Sequence, residues 1–328
     1  SLLHAGFTIQ KVFAPEHGFR GQEEAGAEIK DGIDTKTGLK LISLHGKYKK
    51  PQTEDLSDID LMLFDIQDVG ARFYTYISSL SYVMEACAEN NIPLLILDRP
   101  NPNANYIDGP VLQEKYKSFV GLLPIPIVHA MTLGELAQMI NGEGWLKDKV
   151  QCEIKVITVR NYNHKLPYSI KIAPSPNLPT DNSIALYPSL CLFEGTPISI
   201  GRGTEFPFEV IGYPGYNESG FSFEPQSIPG KSLYPKFLNQ KCSGIDLRTD
   251  CSLNDRPTKI NLGYLINFYS TYPDKDHFFT DFFNLLAGTN ELQNQIKASW
   301  TEDEIRKSWQ AELNQFKLKR KKYLLYTD

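Results

Sequence analysis

The chain has 328 residues, of which 41% are hydrophobic and 22% charged, and its formal net charge at pH 7 is -5. A chain of this length can bury a large core, so we expect an ordinary globular protein of two domains. The negative charge and the lack of a basic stripe argue against nucleic acid as a partner. No apolar run approaches the roughly 18 residues of a membrane span.

The start of the chain and its cysteines leave two questions open. Residues 1–6 resemble the last turn of a helix with Gly6 as its C-cap, and there is no initiating Met. We therefore expect that a first strand and most of a helix are missing from this chain, and a leader could have gone with them. The five cysteines form no Cys-x-x-Cys pair. Cys242 and Cys251 could form a bridge, which the sequence does not decide.

The first half of the chain has the pattern of a parallel α/β sheet. Residues 8–14 form a first strand, 39–44 a candidate strand, and 61–66 an apolar run typical of a strand covered on both faces. Residues 77–90 place their apolar side chains on one helical face, and residues 94–97 form the next strand. Strand, helix and strand within this distance predict a right-handed βαβ unit.

The remaining elements follow from capping signals and from composition. Residues 119–129 are extended, residues 132–135 (TLGE) match a capping box, and residues 153–159 form another strand. The proline-rich residues 173–182 suit the wall of a cleft, and Pro188 interrupts a helix over 183–193. Beyond a glycine-rich stretch at 212–230 the chain becomes more helical, with a second capping box at 301–304. We predict a catalytic domain over residues 1–205 and an auxiliary α+β domain over 206–328.

Polar clusters follow three of the predicted strands directly. They are Glu16, His17 and Arg20; Asp65, Gln67 and Asp68; and Asp98, Arg99 and Asn101. The carboxyl ends of parallel strands share one edge of a sheet, where ligands bind. The sequence therefore predicts that these clusters converge on one cleft.

Metal, nucleotide and nucleophile motifs are absent from the sequence. The six histidines include no H-x-H or H-E-x-x-H spacing, so a metal site would need distant residues such as His17, Asp65 and His129. No glycine-rich phosphate loop and no G-x-S-x-G occurs. The short G-R-G-T at 201–204 is typical of a tight turn, although it could present Arg202 to a carboxylate. We expect neither a metal nor a cofactor.

Paired carboxylates remain as the chemistry that the sequence supports. Glycoside hydrolysis needs one acid to protonate the leaving oxygen and a second group to activate water or stabilise the cation. An aspartate at a strand end can equally cap a helix or pair with an arginine such as Arg72 or Arg99. Glu16 is favoured because it lies between Pro15 and Gly18, beside His17, with no apolar run that it could cap. Nearby aromatic residues suit a sugar face, or the core: Phe73, Tyr74, Tyr76, Phe206 and Phe208.

Several long motifs resemble those of one bacterial family, in the same order along nearly the whole chain. They are FAPEHGFRG (13–21), FDIQDVGARFYTY (64–76), LDRPNP (97–102) with DGP (108–110), PIPIVHAMTLGELA (124–137), PSPNLPT (174–180), EGTPISIGRGTEFPFEVIG (194–212) and KKYLLY (321–326). The family, formerly a domain of unknown function, is associated with exo-lytic β-N-acetylmuramidases. The resemblance implies a Rossmann-like domain with helices on both faces of the sheet, a smaller auxiliary domain, and a cleft between them.

The resemblance also implies a reaction and a catalytic residue, and we add the other expected site residues from our own interpretation of the sequence. The family removes N-acetylmuramic acid from the non-reducing ends of peptidoglycan fragments, and the glutamate of its Pro-Glu-His-Gly motif corresponds to Glu16. We expect Glu16 as general acid or acid/base, His17 to orient it, and Asp65 or Asp68 as second carboxylate or as a partner of the acetamido group. The expected substrate-binding residues are Arg20, Gln67, Arg72, Tyr74, Asp98, Arg99, Asn101, His129, Asn177, Glu194 and Arg202. Of these, Arg202 or Arg72 would bind the lactyl carboxylate.

Two other functions fit the same residues. One is a non-catalytic protein that binds cell-wall sugars, and the other is a metal-dependent amidase or esterase. A muramic acid-containing saccharide as substrate makes the periplasm or the cell exterior the expected location.

Overall fold

A computed structural model describes residues 2–21, 23–24, 26–27, 29–217 and 220–328. Within these ranges the strands are β1 (Lys11–Ala14), β2 (Gly32–Ile33), β3 (Lys40–Ser43), β4 (Met62–Phe64), β5 (Leu94–Leu97), β6 (Asp108–Val111), β7 (Pro126–Val128), β8 (Ile154–Ile157), β9 (Val210–Tyr213), β10 (Phe221–Phe223) and β11 (Cys242–Asp246). The α-helices are α1 (Thr53–Leu56), α2 (Tyr76–Glu89), α3 (Leu133–Gly142), α4 (Asp181–Leu190), α5 (Gly263–Thr271), α6 (Asp281–Ala287), α7 (Glu291–Lys297), α8 (Glu302–Ser308) and α9 (Gln310–Arg320). No described helix is both long and apolar enough to cross a bilayer.

The first half contains the parallel α/β arrangement that the sequence predicts. β4, β5 and β8 form a parallel sheet with β5 in the centre. Helix α2, which connects β4 to β5, buries the predicted apolar face, including Leu80, Met84 and Cys87. Helix α3 begins at the predicted capping box, in which Thr132 and Glu135 bond reciprocally to each other's backbone N–H. The predicted strand–helix–strand unit is confirmed.

Strand β1 does not belong to this sheet, which corrects the prediction of a single edge. β1 pairs in parallel with β3, and β3 pairs with β2 on its other side. Among the described residues no ladder joins β1 to β4 or β5. The polar groups after β1 are therefore not aligned by one hydrogen-bonded sheet with those after β4 and β5. The strand expected upstream of residue 1 stays a prediction.

The second half packs helices around a small antiparallel sheet. β11 lies between β10 and β9. Pro188 lies inside α4, which ends at Leu190 and continues as a 3₁₀ segment over Cys191–Gly195. Helix α8 begins at the second predicted capping box, at Thr301. Cys242 and Cys251 are free thiols in the structure, so the bridge between them is not formed.

The end of the chain returns to the first half and binds there. The carboxylate of Glu135, which is fully buried, accepts hydrogen bonds from the backbone N–H of Leu325 and of Tyr326 at 2.9 and 3.2 Å. It also bonds His164 Nε2 at 2.9 Å. The Tyr326 hydroxyl donates to Asp98 Oδ2 at 2.7 Å. The KKYLLY motif is thus a tether between the two halves.

Arg72 is a second polar connection between the halves. Its side chain is buried, and its guanidinium donates to the carbonyl oxygens of Pro110, Ile125, Leu286 and Ala287 at 2.7 to 2.9 Å. Burial lowers the pKa of Arg72 to about 9, which leaves it charged at neutral pH. Both terminal nitrogens are used in this way, so the contacts favour a structural role for Arg72, and its binding of a substrate carboxylate stays a prediction.

We expect Arg72→Met to destabilise the protein by roughly 3 kcal/mol, because it leaves buried carbonyl oxygens without their donor. Urea unfolding followed by circular dichroism measures the change. Arg248→Met is the matched control, since Arg248 is exposed, forms its ion pair with Asp246 on its own segment and otherwise lies over the Phe206 and Phe221 rings at the surface. An equal shift of the urea midpoint in the two variants would contradict the structural role given to Arg72.

Candidate active site

A cleft of about 630 Å³ lies between the two halves of the chain. One wall comes from the loops after β1 and β3 and from the start of α2, and it carries Glu16, His45 and Thr75. The other wall comes from the segment after α4 and from the loop before β11, and it carries Arg202 and Lys236. A cleft of this volume is within the range that small-molecule sites occupy.

Glu16 lies at this cleft with both carboxylate oxygens in use. Oε2 accepts from the Thr75 hydroxyl at 2.5 Å, and Oε1 accepts from the Gly26 backbone N–H at 2.9 Å. His45 Nε2 lies 3.9 Å from Oε1. The side chain is only 13% exposed, so the carboxylate is held in one position and largely shielded from water. A fixed, shielded carboxylate is the kind of group that acid–base catalysis requires.

The backbone at His17 has an uncommon conformation that helps to shape this loop. His17 has φ of 68°, in the left-handed region, and Gly18 follows with φ of 73°. A non-glycine residue there is energetically costly and persists only where its surroundings hold it. The ring is buried, and its Nδ1 lies 3.0 Å from the Glu23 carbonyl oxygen. The buried ring of His17 and its contact with the Glu23 carbonyl therefore stabilise the turn that positions Glu16.

Burial and neighbouring charges determine the protonation of this wall. Burial raises the pKa of Glu16, but the Thr75 hydrogen bond, His45, His17 and the Gly26 N–H together outweigh it and hold that pKa below its usual value. Burial lowers the pKa of both histidines, and the effect of Glu16 does not reverse it. Without a ligand at neutral pH, the wall therefore holds an ionised glutamate beside two neutral imidazoles.

The opposite wall holds a second carboxylate within a cationic environment. Arg202 Nε donates to Glu194 Oε1 at 2.6 Å. Lys236 Nζ donates to the backbone carbonyls of Phe193, Glu194 and Thr196 at 2.6 to 3.3 Å and so holds this segment in place. Burial raises the pKa of Glu194, but the charges of Arg202 and Lys236 outweigh it and keep that pKa low. Among the described contacts, the terminal nitrogens of Arg202 have no hydrogen-bond acceptor, and the side chain is 24% exposed.

Asn177 offers an unused acceptor at the cleft wall. Its Nδ2 donates to the Lys231 carbonyl at 2.8 Å, whereas its Oδ1 is buried and has no hydrogen-bond partner among the described residues. A buried acceptor without a donor is costly and is therefore a candidate for a ligand contact. Tyr74 also lines the cleft, with its hydroxyl bonded to the Pro174 carbonyl at 2.8 Å. Phe73 and Phe208 are buried at the base.

The structure brings together six of the residues that the sequence predicts for the site. The six that line the cleft are Glu16, His17, Tyr74, Asn177, Glu194 and Arg202. Besides Arg72, the predicted residues that do not line it are Arg20, Asp65, Gln67, Asp68, Asp98, Arg99, Asn101 and His129.

Three of these residues have partly exposed side chains and form ion pairs. Arg20 donates through Nε and a terminal nitrogen to Asp34 at 3.1 and 2.6 Å. Arg99 pairs with Asp65 at 2.6 Å, and both side chains are about 40% exposed. The local pairing weighed for strand-end aspartates is confirmed for Asp65. Asp65 lies outside the cleft, and its role as second carboxylate stays a prediction that this pairing does not favour.

Asp98 and Asn101 form hydrogen bonds at the start of α3 and in the residues just before it. Asp98 accepts from the Thr132 hydroxyl at 2.7 Å and from the Gly134 N–H at 2.9 Å, at the start of α3. Asn101 donates to the Met131 carbonyl at 2.9 Å and packs so closely on Gly70 that a Cβ there would meet its Oδ1 at 2.0 Å. These contacts occupy both side chains, neither of which lines the cleft, and their predicted binding roles stay predictions.

The last three predicted residues also form hydrogen bonds within the protein. They are Gln67, His129 and Asp68. Gln67 Nε2 donates to the carbonyls of Asp68 and Pro100 at 2.8 and 2.9 Å. His129 is fully buried, its Nδ1 accepts from the Met131 N–H at 3.2 Å, and burial lowers its pKa to about 3. Asp68 is buried with Oδ2 bonded to the Gly70 N–H at 2.7 Å, and burial raises its pKa to about 7. None of the three lines the cleft, and their predicted contacts with substrate stay predictions.

Sequence reasoning missed His45, Lys49, Thr75 and Lys236 on the cleft walls. The pairing of β1 with β3 could have identified His45: Ala14 is paired with Ser43, and Glu16 and His45 each lie two residues further on. Thr75 immediately precedes α2, where it would be read as a cap, but its hydroxyl donates to Glu16 instead. No group of three side chains among the described residues is arranged to hold a metal ion.

The fold and the cleft define a two-domain α/β protein with a carboxylate-bearing site between its halves. The family model described as "Exo-beta-N-acetylmuramidase NamZ, N-terminal" matches residues 1–182, and the C-terminal model of the same family matches residues 185–326. The chain belongs to the exo-β-N-acetylmuramidase NamZ family. Glu16 comes from the first matched region, and Glu194 and Arg202 come from the second. The predicted domain boundary after residue 205 stays a prediction.

Particular relatives agree with this assignment. The chain is 40% identical over 334 residues to the peptidoglycan β-N-acetylmuramidase NamZ of Bacillus subtilis (strain 168), covering 97% of this chain and 80% of that protein. A crystal structure of a DUF1343 family protein from Bacteroides fragilis NCTC 9343 matches with TM-score 0.92 and 48% identity over 100% of this chain and 88% of that one. A second DUF1343 protein from the same strain matches with TM-score 0.82 and 28% identity over 97% and 86%.

Asp68→Asn should change how stability depends on pH. The raised pKa of Asp68, about 7 against an ordinary 3.8, means that the folded state keeps a proton that the unfolded state has released. Wild-type stability should therefore decline as pH rises from about 3.8 to about 7, by at most about 4 kcal/mol. The Asn variant lacks this decline, so its melting temperature relative to wild type should increase from pH 4 to pH 8. Asp65→Asn, at an exposed position, should follow the wild-type profile; an Asp68→Asn profile parallel to wild type would contradict a buried, protonated Asp68.

Proposed function

We propose that this protein is an exo-acting glycoside hydrolase that releases N-acetylmuramic acid from the non-reducing ends of peptidoglycan fragments. Membership of the family and the peptidoglycan β-N-acetylmuramidase activity for which the Bacillus subtilis relative is named support this reaction. The observation that carries the mechanism is the position of Glu16, a shielded carboxylate held by Thr75 and Gly26 at a cleft that also contains an arginine.

Glu16 is the general acid/base in this proposal. Proton donation to the leaving oxygen requires the protonated form, yet the carboxyl is ionised in the unliganded protein at neutral pH. A bound muramic acid brings its own carboxylate and displaces water from the cleft. Both effects raise the pKa of Glu16, because a nearby negative charge and desolvation each disfavour the ionised form. Substrate binding itself thereby loads the proton that the reaction uses.

Arg202 recognises the lactyl carboxylate. Its Nε is occupied by Glu194, which fixes the plane of the guanidinium and leaves the terminal nitrogens for a second acceptor. A guanidinium held in this way suits a carboxylate better than a lysine would, since it can donate two parallel hydrogen bonds. Glu194, the other predicted site residue with a carboxylate at the cleft, acts here by positioning Arg202.

Asn177 recognises a donor of the bound sugar. Its buried Oδ1 lacks a partner among the described residues, and either a hydroxyl or the acetamido N–H of the sugar would satisfy it. The contact makes binding dependent on a correctly placed donor, because a ligand without one would leave the acceptor unpaired.

The remaining features of the proposal concern fold and location. We infer that β4, β5 and β8 with α2 and α3 form a Rossmann-like domain, on the basis of their parallel order and the helical connections. A substrate derived from peptidoglycan favours the periplasm or the cell exterior, which stays a prediction. The expectation that the protein binds no nucleic acid also stays a prediction.

Glu16→Gln should lower the release of free N-acetylmuramic acid by about 10²–10⁴-fold, because the amide cannot transfer the proton. A muramyl disaccharide is the substrate, and chromatography of the products measures the release. Asp65→Asn is the matched acid-to-amide control, and we expect it to stay within about twofold of wild type because it lies outside the cleft. Activity of Glu16→Gln within about tenfold of wild type would remove Glu16 from this role, and binding by the wild type without cleavage would favour a sugar-binding protein.

The pH profiles of kcat/KM and of kcat should differ. The first reports the free enzyme, in which the pKa of Glu16 lies below its usual value near 4.5, and the second reports the substrate complex. We expect kcat/KM to fall from acidic pH towards neutrality, and kcat to persist to higher pH, because bound substrate raises the pKa of Glu16. Initial rates across pH 3.5–8 on the disaccharide measure both. A kcat/KM that rises through the acidic range and then stays level would mean that the ionised carboxylate is the active form.

A further inference from the structure

Tyr234 is an exposed aromatic residue at the cleft. Its side chain is 89% exposed although it lines the cleft, and Phe282, also a lining residue, is 40% exposed. The aromatic residues at the base, such as Phe73 and Phe208, are buried. Tyr234 therefore belongs to the mouth of the cleft, where it can contact a ligand that extends outwards.

The loop that carries Tyr234 is held firmly on both sides of the cleft. The N–H of Leu233 donates to Glu24 Oε1 on the opposite wall at 2.9 Å. The Lys231 carbonyl accepts from Asn177, and Ile228 and Ser232 exchange two backbone hydrogen bonds at 2.9 Å. Because the backbone of the loop is held, only the side-chain rotamers of the ring must be ordered when it binds a partner.

The side of the loop towards the protein is closely packed. A Cβ at Gly203 would meet Pro235 Cγ at 2.6 Å, and the N–H of Gln226 donates to the Gly203 carbonyl at 2.7 Å. Lys236, the next residue after Pro235, is anchored to the carbonyls behind Glu194. The backbone on either side of Tyr234 is therefore anchored, whereas the ring of Tyr234 remains at the surface.

The position of Glu16 indicates which sugar of the substrate the ring of Tyr234 would contact. Glu16 is 13% exposed and lies within the cleft, where it would meet the bond to be cleaved. An exo-acting enzyme holds the terminal sugar inside, so the sugar on the leaving side of that bond must extend towards the mouth. The faces of a pyranose ring carry C–H groups that pack against an aromatic face.

We propose that Tyr234 forms a binding subsite for the leaving group, the neutral sugar that follows N-acetylmuramic acid in the glycan chain. This inference rests on the function proposed above. The ring packs against the leaving sugar and makes no contact with the terminal one, so it contributes to recognition of saccharide substrates and not to the chemistry at the cleaved bond.

Two substrates with different leaving groups test the proposal. The first is the disaccharide of N-acetylmuramic acid and N-acetylglucosamine, and the second is the β-fluoride of N-acetylmuramic acid, whose leaving group cannot reach Tyr234. We expect Tyr234→Ala to lower kcat/KM on the disaccharide about tenfold and to leave the fluoride within about twofold of wild type. Tyr234→Trp should retain activity on both substrates, and Tyr116→Ala, a tyrosine outside the cleft, should change neither.

The two substrates also separate this inference from the proposed function. If wild type hydrolyses neither, the proposed function itself fails. If wild type hydrolyses both, and Tyr234→Ala loses nothing or loses equally on both, the leaving-group subsite is overturned. The fluoride reaction also reports on folding, because a variant that retains it has an intact catalytic wall.

Discussion

The parallel pairing of β1 with β3 is the constraint on which the site depends. It places Ala14 beside Ser43, so the two loops that follow leave the sheet together and bring Glu16 and His45 to within 3.9 Å of each other. Neither side chain needs a long or mobile connection to reach this position. Thr75, at the start of α2, then supplies the hydrogen bond that fixes the carboxylate. The orientation of the carboxylate is thus set by backbone pairing and by one hydroxyl.

The charges around the cleft follow from this arrangement. Two buried carboxylates, Glu16 and Glu194, are both kept ionised, one by hydrogen bonds and histidines and the other by Arg202 and Lys236. An anionic sugar could not enter a cleft with two unscreened negative charges. Arg202 and Lys236 outweigh Glu194, so that wall carries a net positive charge, whereas Glu16 on the other wall lies close to His45 and His17. This asymmetry is what allows the substrate's own carboxylate to change the protonation of Glu16.

The sequence indicated Glu16 and His17 because both lie in a short polar loop directly after an apolar strand. It also located α3 and α8, since a capping box is a local signal that tertiary contacts rarely override. The predicted residues after the other strands have internal or local partners instead of lining the cleft, and the sequence could not show this, because a strand-end carboxylate looks the same whether it meets a ligand or a backbone N–H. The sequence did not identify His45 because its position depends on which strand pairs with β1. No local sequence pattern predicts that pairing.

The polar motifs that do not reach the cleft have a function that the site requires. Asp98, Glu135 and Arg72 each bond to groups far away in the sequence, and together they fix the second half of the chain against the first. The cleft lies between those halves, so its width is set by these buried contacts. A catalytic carboxylate and an arginine on opposite walls are useful only at a constant separation, because small displacements in such sites are costly to the reaction. Buried polar groups that specify one arrangement of the halves therefore serve the reaction without touching the substrate.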